Sequence, residues 1–80
     1  MALPQPVIDF LNENAQNNGI ALPTNDEDLF QSGTLDSFAL VDFVALLEQH
    51  CAIKVPDADV MAANFQTLNV IENYVAARQS

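Results

Sequence analysis

Several residue types that support particular kinds of chemistry are scarce in this chain. Among its 80 residues there are one cysteine, one histidine, two Lys or Arg, and no tryptophan. A single cysteine excludes an internal disulfide and a multi-cysteine zinc site. No apolar stretch is long enough to span a bilayer, and no basic region followed by an apolar run marks a signal peptide. We therefore expect a cytoplasmic protein.

The charge of the chain is almost all of one sign. Eleven Asp and Glu residues stand against two Lys and Arg, which gives a formal net charge of −9. A field of this sign repels nucleic-acid phosphates and anionic lipids, so neither nucleic acid nor a membrane is expected as a partner. The same field favours fast association with proteins that carry basic patches.

The sequence does contain enough apolar residues, 50% of the chain, for one small domain over residues 1–80, expected as a monomer. No segment alternates apolar and polar residues as a half-buried strand would. The pattern predicts an all-α fold, a four-helix bundle with a long first loop and a short third helix. The predicted elements are a helix from about Pro4 to Asn17 that ends at Gly19 and Ile20, a loop from about Ile20 to Leu35, a helix from Ser37 to about His50 capped by Asp36, a short helix from about Asp57 to Ala63, and a helix capped by Thr67 that runs to about Arg78.

The second long helix is apolar nearly all round, so most of it should be buried, unless part of it is exposed for a partner. Its apolar residues form two stripes at three-residue steps, Phe38, Val41, Val44 and Leu47 in the first and Leu40, Phe43 and Leu46 in the second. We expect the first stripe to lie in the core. For the second stripe, core packing and partner contact both remain open.

Ser37 is the candidate reactive residue, because it opens a helix whose positive dipole end and free N–H groups suit a phosphate ester. A serine there is also common as a simple helix cap, so position alone does not decide. A catalytic serine needs a neighbouring base, and the single histidine, His50, lies about 20 Å further along the same helix. No Gly-x-Ser-x-Gly elbow is present. We therefore expect no enzymatic activity.

Metal chemistry is not expected either. His50 and Cys51 are adjacent in sequence, so their side chains diverge on a helix and cannot close a metal site. The acidic run Asp26-Glu27-Asp28 lacks the spacing of a calcium loop.

A longer pattern surrounds Ser37. Residues 28–38, Asp-Leu-Phe-Gln-Ser-Gly-Thr-Leu-Asp-Ser-Phe, closely resemble the attachment motif of acyl and peptidyl carrier proteins. The resemblance covers about two-thirds of the chain, in the order and spacing of that family. It continues through Leu47-Glu48, Ile53-x-Val55-Pro56, Asn64-Phe65-Gln66-Thr67-Leu68 and Ile71-x-x-Tyr74-Val75.

The resemblance implies a stand-alone carrier rather than an enzyme. A phosphopantetheinyl transferase would move 4'-phosphopantetheine from coenzyme A onto Ser37. An acyl- or aminoacyl-loading ligase would then attach cargo to the thiol of that arm as a thioester, for downstream synthase or transferase enzymes with basic patches. The residues expected at the docking surface for these partners are Asp36, Phe38, Leu40, Asp42, Phe43, Leu46 and Met61.

Two departures from the family pattern bear on the pathway. Phe38 stands where Leu is usual, a change that some peptidyl and D-alanyl carriers share. Ala39 and Leu40 stand where fatty-acid carriers tend to be polar or acidic. These departures favour a dedicated pathway, such as nonribosomal peptide, lipopeptide or polyketide assembly. The alternatives are a housekeeping fatty-acid carrier and a non-enzymatic acidic helical adaptor in which Ser37 stays unmodified.

Overall fold

The computed structural model describes residues 3–79, and over that range the chain forms helices and turns and no β-strand. The all-α prediction is therefore confirmed. Within the same residues no helix combines the length and the hydropathy that a membrane crossing requires. The elements in chain order are α1 (Gln5–Asn17), α2 (Leu29–Ser32), α3 (Ser37–Cys51), two 3₁₀ turns (Asp57–Asp59 and Ala62–Asn64) and α4 (Leu68–Gln79).

Helix α1 ends as its sequence predicts. Gly19 adopts a left-handed conformation with φ 69°. The Ile20 amide donates to the Ala15 carbonyl at 3.0 Å, and the Gly19 amide donates to the Gln16 carbonyl at 3.1 Å. This pair of hydrogen bonds satisfies helix carbonyls that would otherwise lack partners, and glycine allows the turn without a Cβ clash.

The first connection, residues 18–36, differs from the predicted loop because it contains the one-turn helix α2. The Asp28 side chain caps this turn by accepting from the amides of Phe30 and Gln31 at 2.9 and 3.0 Å. The amide of Leu29 donates to the carbonyl of Gln66 at 2.8 Å, and the Leu29 side chain is fully buried. A single turn is not stable by itself, so these distant contacts explain why local patterning did not predict it.

Helix α3 begins at Ser37 and is capped by Asp36, as predicted, and it ends at Cys51, one residue beyond the predicted end. The Ala52 residue that follows is left-handed, with φ 54°. The buried positions of α3 define its inner face, which packs on α1 and α4. These residues are Leu40, Phe43, Val44, Leu47 and Cys51.

The second connection, residues 52–67, holds two 3₁₀ turns in place of one short helix over 57–63. Met61 between them is extended, with φ −148°. The Asn64 side-chain amide donates to the carbonyl of Asp59 at 2.9 Å, which holds the two turns against each other. Neither turn contains a buried residue, so no apolar face is present to stabilise a continuous helix there.

Helix α4 completes the fold. The Thr67 hydroxyl accepts from the Val70 amide at 3.1 Å, which confirms the predicted cap. The predicted inner residues Leu68, Ile71 and Val75 are buried. A chain of aromatic rings crosses the core from α1 to α4, with successive centroids 5.9, 6.3 and 5.2 Å apart. The four rings are those of Phe10, Phe43, Phe65 and Tyr74.

Candidate functional site

Ser37 is the first residue of α3, and its side chain is exposed. Within residues 3–79 no hydrogen bond engages its hydroxyl group. A large substituent on this oxygen would therefore displace neither a core side chain nor an existing polar contact. The position fits a covalently attached phosphodiester at the N-terminal end of a helix, where the dipole favours negative charge.

Asp36 limits how the helix end can receive an anion. One carboxylate oxygen, Oδ1, accepts from the amides of Phe38 and Ala39 at 3.0 and 2.7 Å. Two of the amides that the sequence analysis assigned to a phosphate are thus already used by the cap. A phosphodiester on Ser37 would be favoured by the helix dipole rather than by those two amides.

The segment that leads into Ser37 is held at several points. The Asn18 side-chain amide donates to the Gly33 carbonyl at 2.7 Å, and the Leu35 amide donates to the Leu29 carbonyl at 3.0 Å. Gly33 has φ 90°, a conformation that glycine tolerates and other residues avoid. Thr34 and Leu35 are buried. Because the backbone before α3 is anchored in this way, Ser37 occupies a defined place on the surface.

The side of α3 that carries Ser37 differs from the prediction. Phe38 is 86% exposed and Val41 is 61% exposed, although the stripe pattern placed both in the core; Phe38 was also among the residues expected at the docking surface. Residues three apart drift backwards by about 60° around a helix, so Phe38 and Leu47 lie half a turn apart and cannot share one face. The exposed residues of the first three turns define the outer face of α3, which consists of Ser37, Phe38, Val41, Asp42 and Ala45; Gln49 and His50 are exposed in the last turn.

The predicted docking residues divide into two groups. Leu40 and Phe43 are 6% and 0% exposed, so these two residues of the expected docking surface lie in the core and are not accessible at the surface of this fold. Leu46 is half-buried and packs against the core. The helical period places these three side chains toward α1 and α4. The remaining predicted residues are accessible, namely Asp36, Phe38, Asp42 and Met61.

A groove that the sequence analysis missed lies between α3 and the first 3₁₀ turn, with a volume of about 350 Å³. We call it the valine groove. The Glu48 carboxylate at its edge accepts from the Val55 amide at 3.0 Å, which ties its two walls together. Its lining residues are Val41, Val44, Ala45, Glu48, Val55, Asp57 and Val60.

The other titratable residues considered above form no reactive group with Ser37. Burial raises the pKa of the Cys51 thiol, so the thiol stays protonated near neutral pH. His50 lies at the opposite end of α3 from Ser37. Asp26 and Asp28 accept hydrogen bonds from the side-chain amides of Asn69 and Gln66. No group of His, Cys, Asp and Glu within the described part of the chain could hold a metal ion.

The positive charges lie far from Ser37 along the fold. The chain has two basic residues besides its histidine, and the Arg78 guanidinium donates to the carbonyl of Lys54 at 2.9 Å. Lys54 follows the C-terminal end of α3, and Arg78 lies in the last turn of α4. The helix end that carries Ser37 is therefore bordered by carboxylates and not by cations.

Comparisons with known proteins identify related sequences. A family model described as a phosphopantetheine attachment site, PP-binding, matches residues 9–75. The D-alanyl carrier protein of Streptococcus mutans serotype c (strain ATCC 700610 / UA159) is 38% identical over 56 residues, which cover 69% of this chain and 71% of that protein. The D-alanyl carrier protein of Streptococcus uberis (strain ATCC BAA-854 / 0140J) is 38% identical over 55 residues, which cover 69% of this chain and 70% of that protein. No solved structure gives a significant match.

Proposed function

The chain belongs to the phosphopantetheine attachment site family, and from this premise we propose that Ser37 bears the prosthetic arm and that the arm carries an aminoacyl group. A member of this family is a carrier with covalently attached 4'-phosphopantetheine, and its partners include a phosphopantetheinyl transferase and a cargo-loading ligase. The thiol of the bound arm supplies the thioester linkage to the cargo.

The observation that carries the proposal is the exposure of Ser37 at the first position of α3, on an anchored backbone. Attachment requires the Ser37 Oγ to lose its proton and to attack the pantetheine-side phosphorus of the coenzyme A diphosphate. The bond from that phosphorus to the bridging oxygen breaks, and adenosine 3',5'-bisphosphate leaves. The base for that proton has to come from the transferase, because His50 lies at the far end of the helix. Asp36 contributes by capping the helix and so by fixing the orientation of the serine.

Two observations support an aminoacyl cargo. Both D-alanyl carrier proteins that match this chain are named for an aminoacyl group. Phe43 and Phe65 lie between the long helices and are completely buried. A long acyl chain would have to displace these rings, whereas a small aminoacyl group needs no interior space. These relatives do not favour peptide or polyketide assembly specifically, so aminoacyl transfer replaces those pathways as the proposal.

The proposed docking surface consists of the accessible predicted residues Asp36, Phe38, Asp42 and Met61, together with Val41. Its apolar centre and carboxylate edge suit a partner that presents an apolar pocket bordered by Lys or Arg. The absence of nearby cations at this end of α3 favours such an electrostatic fit. Buried Leu40 and Phe43 support the surface from below.

The first experiment tests the attachment. The purified protein is incubated with coenzyme A and a broad-specificity phosphopantetheinyl transferase and is then weighed intact. We expect one added phosphopantetheine mass in the wild type and in the Ser32→Ala control, and none in Ser37→Ala. A folded protein that starts unmodified and gains no mass would refute Ser37 as the attachment site, and the adaptor alternative would replace it.

The second experiment tests the cargo. The modified protein is offered to adenylating ligases with amino acids and, separately, to fatty acyl-loading enzymes. We expect thioester formation with a small amino acid and little loading with a long-chain acyl group. Efficient loading and elongation of fatty acyl groups, with no aminoacylation, would instead support the housekeeping alternative.

The third experiment tests the docking surface by transferase kinetics at several salt concentrations. Phe38→Ala should lower kcat/KM more than Asp42→Asn, because a central apolar contact contributes more than a charge at the edge. The Asp42→Asn effect should fade at high salt. Glu13→Gln on α1 removes the same charge away from the surface and should leave the rate unchanged. Equal effects of Asp42→Asn and Glu13→Gln would indicate that only net charge matters.

A further inference from the structure

The turn that ends α1 contacts the segment that leads into Ser37. The Asn18 side-chain amide donates to the Gly33 carbonyl at 2.7 Å. Ile20 adds an apolar contact, since its Cδ1 atom lies 4.0 Å from the place that a Cβ atom on Gly33 would occupy. Gly33 is left-handed, with φ 90°, and the chain continues from it into Asp36 and Ser37. Asn18 and Ile20 therefore hold this segment from the side of α1.

The peptide bond between Asn18 and Gly19 has a chemical property of its own. Asn18 is exposed, and no other asparagine of the chain is followed by glycine. The side-chain amide of an asparagine can be attacked by the backbone nitrogen of the next residue. Glycine leaves that nitrogen accessible because it has no Cβ atom, and it also allows the backbone angles that the attack needs. Asn18 is thus the asparagine at which this attack meets the least hindrance.

The reaction uses water as its co-reactant and needs no oxidant or reductant. The Gly19 amide nitrogen loses its proton to solvent and attacks Cγ of Asn18. The bond from Cγ to Nδ2 breaks, and Nδ2 takes up a proton from solvent and leaves as ammonia, which closes a succinimide ring. One water then adds to either ring carbonyl and opens the ring. The product at position 18 is an aspartyl or an isoaspartyl residue.

The fold restrains the groups that must react. The Gly19 amide donates to the Gln16 carbonyl at 3.1 Å, and Nδ2 of Asn18 is bound to the Gly33 carbonyl. Attack requires that both hydrogen bonds break. Gln16, Asn18 and Gly19 are all exposed at the end of a helix, where local opening costs less free energy than global unfolding. The reacting atoms can therefore meet in a locally open state while the core stays folded.

We propose that Asn18 and Gly19 form a self-modifying site, and that its conversion weakens the positioning of Ser37 for attachment. Either product replaces the amide donor with a carboxylate, which when ionised only accepts hydrogen bonds and so cannot bond the Gly33 carbonyl. The isoaspartyl product also adds a methylene group to the backbone before Ile20. Asn18 is thereby a positioning residue for the reaction of Ser37, and this part of the inference rests on the proposed function.

The first test follows the modification alone and does not depend on Ser37. The purified protein is incubated in mildly alkaline buffer until a urea-unfolded sample has converted at Asn18, and both samples are digested and analysed by peptide mass spectrometry. In the folded protein we expect Asn18 to convert before any other asparagine, with aspartyl and isoaspartyl products. The site is refuted if Asn18 of the folded protein stays intact, or if another asparagine converts first.

The second test measures what the conversion does to attachment. Asn18→Asp reproduces the aspartyl product, and Asn17→Asp is the matched control, because it adds the same charge at the exposed neighbouring position. In phosphopantetheine transfer from coenzyme A, we expect Asn18→Asp to lower kcat about fivefold at unchanged KM for the carrier, which corresponds to one lost hydrogen bond. Asn17→Asp should leave kcat unchanged. Asn18→Ala, which removes the donor without adding charge, should lie between the two.

The outcomes separate this inference from the proposed function. If the wild type gains no mass at Ser37, the proposed function fails, and the peptide analysis still decides whether Asn18 is modified. An unchanged kcat in Asn18→Asp and Asn18→Ala refutes the positioning role. Equal effects of Asn18→Asp and Asn17→Asp, or a change in KM alone, would indicate net charge and also refute it. Thermal melts confirm that each variant is folded at the assay temperature, and Asn18→Ala decides the question if Asn18→Asp does not fold.

Discussion

The two connections that flank α3 are stabilised in different ways. The first, residues 18–36, buries Leu29, Thr34 and Leu35 and is hydrogen-bonded to the start of α4. The second, residues 52–67, buries side chains only near its ends, and its two 3₁₀ turns contain no buried residue. The middle of the second connection therefore depends on hydrogen bonds and on half-buried Val60, whereas the first is also held by fully buried side chains.

This difference corresponds to what each connection holds in place. The first leads directly into Ser37, and anchoring it by buried side chains gives the serine a fixed place. The second forms the outer wall of the valine groove. Segments with few buried apolar contacts open locally at lower free energy than the global unfolding of the domain. We therefore expect the backbone at the attachment point to open less readily than the outer wall of the groove.

The largest expected effect is that of Leu29→Ala in the first connection. Removing a fully buried leucine side chain should lower the free energy of unfolding by about 2–5 kcal/mol. Val60→Ala, at a half-buried position of the second connection, should cost about 1 kcal/mol or less. Urea unfolding of both variants measures the comparison. Equal losses would show that the two connections are packed to the same degree.

Asp28 tests the hydrogen-bonded part of the first connection. The hydrogen bond from the Gln66 side chain, followed by those from the Gln31 and Phe30 amides, lowers the pKa of Asp28 below its ordinary value of 3.8. A lowered folded-state pKa adds stability above about pH 3.8 that is lost as the pH falls through the folded-state pKa. Asp28→Asn should therefore reduce stability at neutral pH and weaken its loss in acid, as measured by urea unfolding at several pH values.

The Asp28 comparison has a matched control in Glu27→Gln. This neighbouring substitution removes the same charge, and the Glu27 side chain makes no hydrogen bond within residues 3–79. If Glu27→Gln changes the acid dependence as much as Asp28→Asn does, overall charge repulsion and not the Asp28 contacts governs acid stability.

Tyr74 tests the second connection. Tyr74→Phe removes the hydrogen bond to Asp59 and should cost about 1 kcal/mol. Burial, and then this hydrogen bond, raises the pKa of Tyr74 above its ordinary value of 10.0. The stability that the protonated Tyr74 hydroxyl adds is therefore present below about pH 10 and is lost as the pH rises through the folded-state pKa. Hydrogen exchange should accelerate over residues 57–64 more than at Leu29. As a control, Asp59→Asn keeps an acceptor for the Tyr74 hydroxyl and should preserve slow amide exchange. If Tyr74→Phe accelerates amide exchange uniformly over the chain, the hydrogen bond has no local role.

The smallest expected effect is a gain at the junction between α3 and the second connection. Ala52 is left-handed, which strains a residue that has a Cβ atom. Ala52→Gly should raise the free energy of unfolding by a few tenths to about 1 kcal/mol. Ala45→Gly, in the middle of α3, should have the opposite sign and cost about 1 kcal/mol. A thermal melt distinguishes the two, and a loss of stability in Ala52→Gly would show that the strain is relieved elsewhere.

Helix ends were the features most accessible to sequence analysis. The turn after α1 follows from Gly19, the start of α3 from Asp36, and the cap of α4 from Thr67. Each of these is decided by the chemistry of one residue and its immediate neighbours. The one-turn helix α2 was not predicted, because Asp28 and Leu29 depend on Gln66, which is distant in sequence.

The faces of α3 were less predictable, since this helix is apolar on nearly every side. The three-residue stripes suggested a core position for Phe38 and Val41 and left core packing and partner contact both open for Leu40 and Phe43. The structure exposes the first pair and buries the second. The valine groove was missed for a related reason. Its walls come from α3 and from a turn after the helix, so no single segment of sequence contains it.

By itself, the sequence determined the all-α fold class, the ends of the three long helices, the acidic charge and the candidate serine, because these depend on composition, helical spacing and local capping. Only the tertiary structure decided which side of α3 faces solvent, how the two connections are held, and where the valine groove lies beside Ser37. Those properties depend on which elements pack against one another. When a helix is apolar on nearly every side, the elements that pack against it determine which face remains exposed.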